Sequence, residues 1–252
     1  MIPANSIHDV LHTLQQRLPR TVTVTTKELV HEVGLMRAFD EPRPPRFKTT
    51  TSQETLNSCL VGLLFCTPDG PIAKGEIVPH LNYFHHRSGE AVDFYCVGYG
   101  AYWPPGSFSD QRDVVKIDDV TWQYSDQAFT QTTSEFEAAT SWEENGEASL
   151  ILLVARRREN GEVALDYSTA IVCNLEQMIK DHAVSSVRAF FNSVFKYAAG
   201  SGRSTLALSD RAGVAVAKGV LRDGVLSLLP KSVGEKFNAA QHFAVRDISK
   251  EA

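Results

Sequence analysis

Apolar residues recur at three- and four-residue intervals at Ile7, Val10, Leu11, Leu14 and Leu18. This spacing predicts an amphipathic helix, capped by Asn5 or Ser6 and ended by Pro19. The pattern then changes: "TVTVTT" alternates strictly at Val22 and Val24 and predicts a short strand or extended edge. Residues 41–53, "EPRPPRFKTTTSQ", hold three prolines and four hydroxyl residues without periodicity, which predicts an extended connector or long surface loop. "CLVGLLFC", residues 59–66, is a continuous apolar run of strand length, the pattern of a strand buried on both faces in a parallel sheet. "TPDGP" interrupts it, with Asp69 or Gly70 placed to cap a helix and Pro71 suited to its first turn. Ile72, Ile77, Leu81 and Phe84 continue as a helical stripe up to a left-handed end at Gly89. "AVDFYCVGY" is a second strand, with Val92, Phe94 and Cys96 on one face and Asp93, Tyr95 and Val97 on the other. Strand, helix and strand within this span predict a right-handed βαβ unit.

"GAYWPPGSF" is a turn-rich loop, followed by short strand candidates in "DVVKI" and "VTWQY". Phe129, Thr132, Phe136 and Ala139 fall on one face of a helix over residues 125–140. Two further apolar runs are joined through Glu159, Asn160 and Gly161, a strong hairpin signal. Met178, Val187, Phe190, Phe191, Val194 and Phe195 form the buried side of one helical stretch ending before Gly200. The remaining residues, 203–252, admit a hairpin in "TLALSDRAGVAVAKG" and a later helix followed by a "HFAVRD" strand. The chain is an α/β protein with no internal repeat.

Composition adds exclusions. The 252 residues are 43% hydrophobic and 22% charged, ordinary values for a globular chain with a proper core. With Lys+Arg 25 against Asp+Glu 30, the net charge of -5 is the reverse of a nucleic-acid binder's footprint. No basic leader with an apolar run opens the sequence, and no apolar stretch approaches the roughly 18 residues of a membrane span. The expectation is a soluble, cytosolic protein with no membrane partner. Cys59, Cys66, Cys96 and Cys173 all lie in apolar runs, where a thiol acts as a small hydrophobe, so no disulfide framework is implied.

The order of elements over residues 59–199, with "GEIVPHLNYFHHRSGEAVDFYCV" and "LILLVARRRENGEVALDY", resembles the thioredoxin-like fold. That resemblance implies a central mixed sheet flanked by helices, preceded by an N-terminal helix and connector over 1–58. It leaves 200–252 as an extension packed on the core. The family places a C-x-x-C at the helix start, where the helix N-terminus stabilises a thiolate. Aligning Cys66, Thr67, Pro68 and Asp69 with that motif keeps the first thiol but puts Asp69 where the second belongs. Aligning on Pro79 puts Pro71, Ile72, Ala73 and Lys74 there and leaves no thiol, and this register suits the helix and strand lengths better. The family's proline before the hairpin is absent from "ENGEASLILL". The resemblance therefore implies a scaffold without redox chemistry.

The function read from this is a non-catalytic interaction or adaptor module without cofactor or metal. Two alternatives stand beside it: a thiol-dependent oxidoreductase or transferase using Cys66, and a small-molecule sensor. Tyr99, Tyr102, Trp103 and Phe108 are the candidate binding residues, for a protein partner or a small ligand. They lie on a loop beyond the carboxyl end of a strand, where ligands bind in open α/β sheets. The opposing reading is an aromatic lid packed on the sheet. His8 with His12, and His80 with His85 and His86, are candidate metal ligands by proximity in sequence, but the spacing of the second set does not converge on one helix face. Arg156, Arg157 and Arg158 read as a solvated turn, and Glu135, Glu137, Glu143, Glu144 and Glu147 as helix and loop surface. "GSGRST" follows a helix and lacks the phosphate-loop lysine, and Ser209 with Asp210 lies in no G-x-S-x-G.

Overall fold

The computed structural model describes residues 2–4, 6–29, 47–88, 92–199, 243–245 and 248–250. The run beginning at Cys59 becomes β4 (Ser58–Phe65), buried along its whole length, and pairs in parallel with β5 (Val92–Val97), equally buried. Gly62 sits opposite Phe94, and a Cβ there would lie 2.7 Å from the Phe94 ring, so glycine is what lets that ring lie across the neighbouring strand.

Around this pair grows a mixed six-stranded sheet in the order β1-β5-β4-β9-β10-β11. β1 (Ile2–Ala4) adds in parallel to β5, whereas β9 (Ser149–Arg157) runs antiparallel to β4. β10 (Val163–Asn174) forms the predicted hairpin with β9, and β11 (Phe243–Val245) closes the far edge antiparallel to β10. Of the expected "HFAVRD" strand, Phe243–Val245 is thus present. Ile248 is buried and its carbonyl accepts from Ser141 N–H at 2.8 Å; the sequence candidates within 200–242, Ser209 and Asp210 included, lie outside the described residues.

Helices cover both faces. α1 (Ile7–Arg17) starts at Ser6, whose hydroxyl accepts from Asp9 N–H at 3.0 Å, and buries Ile7, Val10 and Leu14. It neighbours α3 (Asp126–Ala139), whose Phe129 and Phe136 meet Phe65. On the other face Phe94 meets Phe191 and Phe195 of α5 (Val187–Ala199), and Phe84 of α2 (Leu81–Ser88) meets Phe191. The predicted alternation of β5 is what sends Phe94 to one layer and Asp93 to the other. Each such ring removed from water contributes about 1.5–3 kcal/mol.

Three elements differ from the sequence reading. Residues 47–53 are not a connector: β3 (Phe47–Leu56) pairs antiparallel with β2 (Arg20–Leu29) over ten positions. Threonine, a strand former, carries that pairing where apolar alternation is missing. Residues 41–46 and Gly89 lie outside the described residues. The helix after β4 is irregular, with a wide turn over Ala73–Ile77 and a tight one over Val78–His80 before α2. Pro79 has no N–H to donate, and the turn ahead of it widens so that Val78 N–H reaches Ala73 O. Last, the stretch read as one helix is two, α4 (Leu175–Lys180) and α5. His182 takes a left-handed φ of 55°, with its N–H on Ile179 O and Ala183 N–H on Met178 O, a Schellman end made without glycine. Ser186 then caps α5 through Ala189 N–H at 3.0 Å.

A second, three-stranded sheet, β6-β8-β7, stands beyond the carboxyl end of β5. β7 (Arg112–Ile117) and β8 (Val120–Tyr124) are joined by Asp118 and Asp119, both at positive φ, as a two-residue hairpin turn requires. β6 (Tyr99–Gly100) pairs with the end of β8. Asn82 ties this sheet to α2: its amide donates to Ile117 O at 2.9 Å and its carbonyl accepts from the Trp122 indole at 2.6 Å. Among the described residues, no helix is long and apolar enough to cross a membrane.

Candidate functional site at the carboxyl ends of the central strands

β4 and β5 both end at the same pole of the sheet, and the segments leaving them build its surface. The chain leaves β5 through Gly98, at φ 79°, where a Cβ would lie 2.8 Å from Phe129 and 2.9 Å from the Tyr124 ring. Only glycine meets both demands, the conformation and the space. The turn sends Tyr99 inward, fully buried, with its ring 4.9 Å from that of Tyr124. Burial pushes both phenols above their ordinary pKa. Trp103 folds back over Gly100, where a Cβ would come within 2.2 Å of the indole, and meets Phe108 in a tilted contact with ring centres 4.9 Å apart. Tyr102 alone of these four projects into water, at 80% exposure. The candidate loop is thus divided: Tyr99 is core, Trp103 and Phe108 are half-buried packing, and Tyr102 is a free tip.

The loop's far end is anchored at the start of α3. Asp110 accepts from Ser125 Oγ–H at 2.6 Å and from Gln127 N–H at 2.8 Å, and Ser125 Oγ accepts from Ala128 N–H at 3.0 Å. The Ser125 hydrogen bond holds the Asp110 carboxyl below its ordinary range, helped by the Gln127 N–H. A carboxyl depressed by folding stabilises the fold above its unfolded pKa, and that contribution fades as pH falls through the folded value. Asp110→Ala is expected to cost about 1 kcal/mol at pH 7, as loss of a capping carboxylate does. The difference from wild type should close below roughly pH 4. Urea unfolding at pH 7 and pH 3 measures both.

β4 leads into Cys66, which is 4% exposed, with its thiol on Thr67 O at 3.6 Å. Burial, with a smaller contribution from Glu176, pushes this thiol up to about 12. Asp69 is exposed and pairs with Lys74 at 3.6 Å and Arg112 at 3.7 Å. Arg112 also holds Asp126 and lies over the Tyr124 ring, 4.9 Å from its centre. Charge at this pole is therefore paired near the surface, with the carboxylates Asp69, Asp110 and Asp126 outnumbering Lys74 and Arg112, above a hydrophobic floor. Cys59, Cys96 and Cys173 are buried as well, each pushed above its ordinary value first of all by burial.

The other sequence candidates scatter. His85 and His86 sit on the exposed side of α2 with rings 5.4 Å apart, and His80 lies edge-on to Phe84 at 6.2 Å. His12 meets Gln16 at 3.4 Å on exposed α1 surface. Among the described residues, no three His, Cys, Asp or Glu side chains gather to hold a metal. Of the hairpin arginines, Arg156 lies 3.8 Å from Asp166, Arg157 donates to Leu18 O at 3.1 Å, and Arg158 is exposed. Two of the three are thus built into the fold rather than a solvated turn. The glutamates do more than coat the surface: Glu135 accepts from Ile7 N–H at 2.7 Å, and Glu137 from Glu144 N–H at 2.8 Å. A pocket of about 440 Å³ opens beside the end of α3, between Glu137, Trp142, Glu144 and Lys250.

One cluster was missed by the sequence reading. Asp93 is fully buried at the opposite pole, with Oδ2 accepting from Arg20 and Oδ1 in an ion pair with Arg17. The cluster locks the end of α1 and the root of β2 onto β5. The only available signal was an aspartate on a buried strand, which demands a cation, but nothing in the sequence says which.

Comparison of the chain with family models, curated proteins and solved structures finds no match.

Proposed function

We propose that this chain is a non-catalytic interaction module on a thioredoxin-like scaffold, acting in the cytosol, and that the 99–108 loop is its binding face. Three features support the scaffold reading: a parallel β1-β5-β4 half, an antiparallel β9–β10 hairpin on the other side of β4, and helices on both faces. Fold likeness by itself assigns no activity, so the functional reading rests on the site.

The observation that carries it is Cys66. At the strand-to-helix turn, where a thiol enzyme needs an accessible thiolate, the sulfur is enclosed and its pKa raised to about 12. Burial disfavours the thiolate there, so less of the nucleophilic form is present at pH 7 than for an ordinary thiol. A tyrosine tip at the same pole, held on a loop tied down at Gly100 and Asp110, has instead the properties of an interface anchor: large, amphipathic and rigidly based.

Two measurements test the reading together. Alkylation of native protein, followed by mass spectrometry across pH 6–10, should find Cys66 no faster than the other three cysteines. A photo-crosslinker at position 102 should give one discrete adduct in cells, and Tyr102→Ala should weaken that partner by about 30-fold or more, the scale of an aromatic hot spot. The melting temperature should stay within a degree or two. Selective, rapid reaction at Cys66 would put the thiol-enzyme reading in its place.

A further inference from the structure

β2 and β3 form a ribbon of ten continuous pairs, from Arg20 opposite Leu56 to Leu29 opposite Phe47, with no bulge. It is about 30 Å long. Among the described residues, neither outer edge of the ribbon pairs with a further strand. Two strands alone are marginal in water; a third or fourth usually accompanies them. The middle of the β3 edge carries none of the usual protections against pairing. Residues 49–53, Thr-Thr-Thr-Ser-Gln, have no charge, proline or glycine, and all five are exposed.

We infer that the β3 edge is a self-association surface, on which a second copy of this chain adds antiparallel through a two-fold axis at Thr51. The sequence of the edge favours this occupant. Pairing centred on Thr51 puts position 50 opposite 52, 49 opposite 53, and Lys48 opposite Glu54 of the second copy. The two-fold axis makes the lysine–glutamate juxtaposition twice, flanking an uncharged centre of hydroxyl residues that pair well across strands. A parallel copy in register would set lysine against lysine and glutamate against glutamate. The β2 edge offers a poorer match: its two-fold pairing about Val24 needs Arg20 opposite Glu28, and Arg20 is already bound to Asp93. Because Thr51 lies midway along the ribbon, the two bodies fall at opposite ends of the shared four-stranded sheet.

Position 51 is the only one that meets itself across the axis, and this gives a register-specific test on the full chain. Thr51→Cys should form an intermolecular disulfide on mild oxidation, because facing Cβ atoms in an antiparallel pair lie near bridging distance. Thr49→Cys, facing position 53, should not. The four native cysteines are buried and serve as a silent background. In sedimentation velocity the wild-type chain should show a concentration-dependent dimer, and Thr51→Lys, which sets two cations face to face, should raise its dissociation constant at least tenfold. A circular-dichroism melt of each variant separates lost pairing from lost folding. Equal crosslinking of Thr51→Cys and Thr49→Cys, or a monomer at all concentrations up to 100 μM with no Thr51→Cys crosslink, would overturn the assignment.

Discussion

Asp93→Ala is expected to lower the unfolding free energy by about 3–5 kcal/mol, the cost of breaking a buried ion pair from one side. The Asp93 side chain has no exposed surface, and the Arg17 and Arg20 side chains facing it are 32% and 13% exposed. Without the carboxylate, the Arg17 and Arg20 guanidinium groups lose the buried anion they share against the strand pair. Arg17 can reach water by a rotamer change, whereas Arg20 has less room. Asp93→Asn should fall between wild type and Asp93→Ala, since it preserves shape and one acceptor. A second comparison isolates the electrostatic origin. Replacing the whole cluster at once, with Asp93→Leu, Arg17→Met and Arg20→Met, should recover most of the loss, because an apolar trio incurs no desolvation cost. Urea denaturation of the four proteins reads these differences directly. A loss below 1 kcal/mol for Asp93→Ala would mean that the cluster does not hold α1 and β2 to the sheet.

Phe65→Ala should cost a comparable 3–5 kcal/mol by a different mechanism. Phe65 is fully buried at the end of β4 and is the hub of the aromatic layer beneath α3. Its ring centre lies 4.5 Å from that of Trp142, 5.4 Å from Phe136 and 6.5 Å from Phe129. Truncation leaves a void the size of a phenyl ring, and those three neighbours are pinned by their own contacts and cannot collapse into it. Phe65→Leu, which keeps most of the volume, should lose less than half as much. Denaturant midpoints for the pair give the comparison, and equal losses would point to the ring contacts rather than the cavity as the cause.

The elements legible in the sequence are those whose signal is local. The unbroken run in β4, the helical spacing of α1 and the Asn160–Gly161 turn each carry their instruction within about a dozen residues. The β2–β3 ribbon was hidden because its partners are separated by residues 30–46 and its alternation is written in threonine rather than in apolar residues. The break between α4 and α5 was hidden because a histidine occupies the left-handed position that glycine usually marks. At the candidate site, the placement of the 99–108 loop beyond β5 could be read from element order. Which aromatic would be free could not, since it depends on Gly98 turning Tyr99 inward and on Gly100 receiving Trp103. The Asp93 cluster joins residues 73 positions apart, and only the folded sheet brings them together.

The main sheet is finished on its two sides by three-residue strands drawn from residues 2–4 and 243–245. During synthesis these two sides mature at very different times. β1 has already left the ribosome when β5 appears, so that side can close at once. The outer side of β10 must wait until the 68 residues 175–242 have been added, an interval of roughly 3–14 s at ordinary elongation rates. Through that interval the outer side of a nascent strand stands open to pairing with a neighbouring chain.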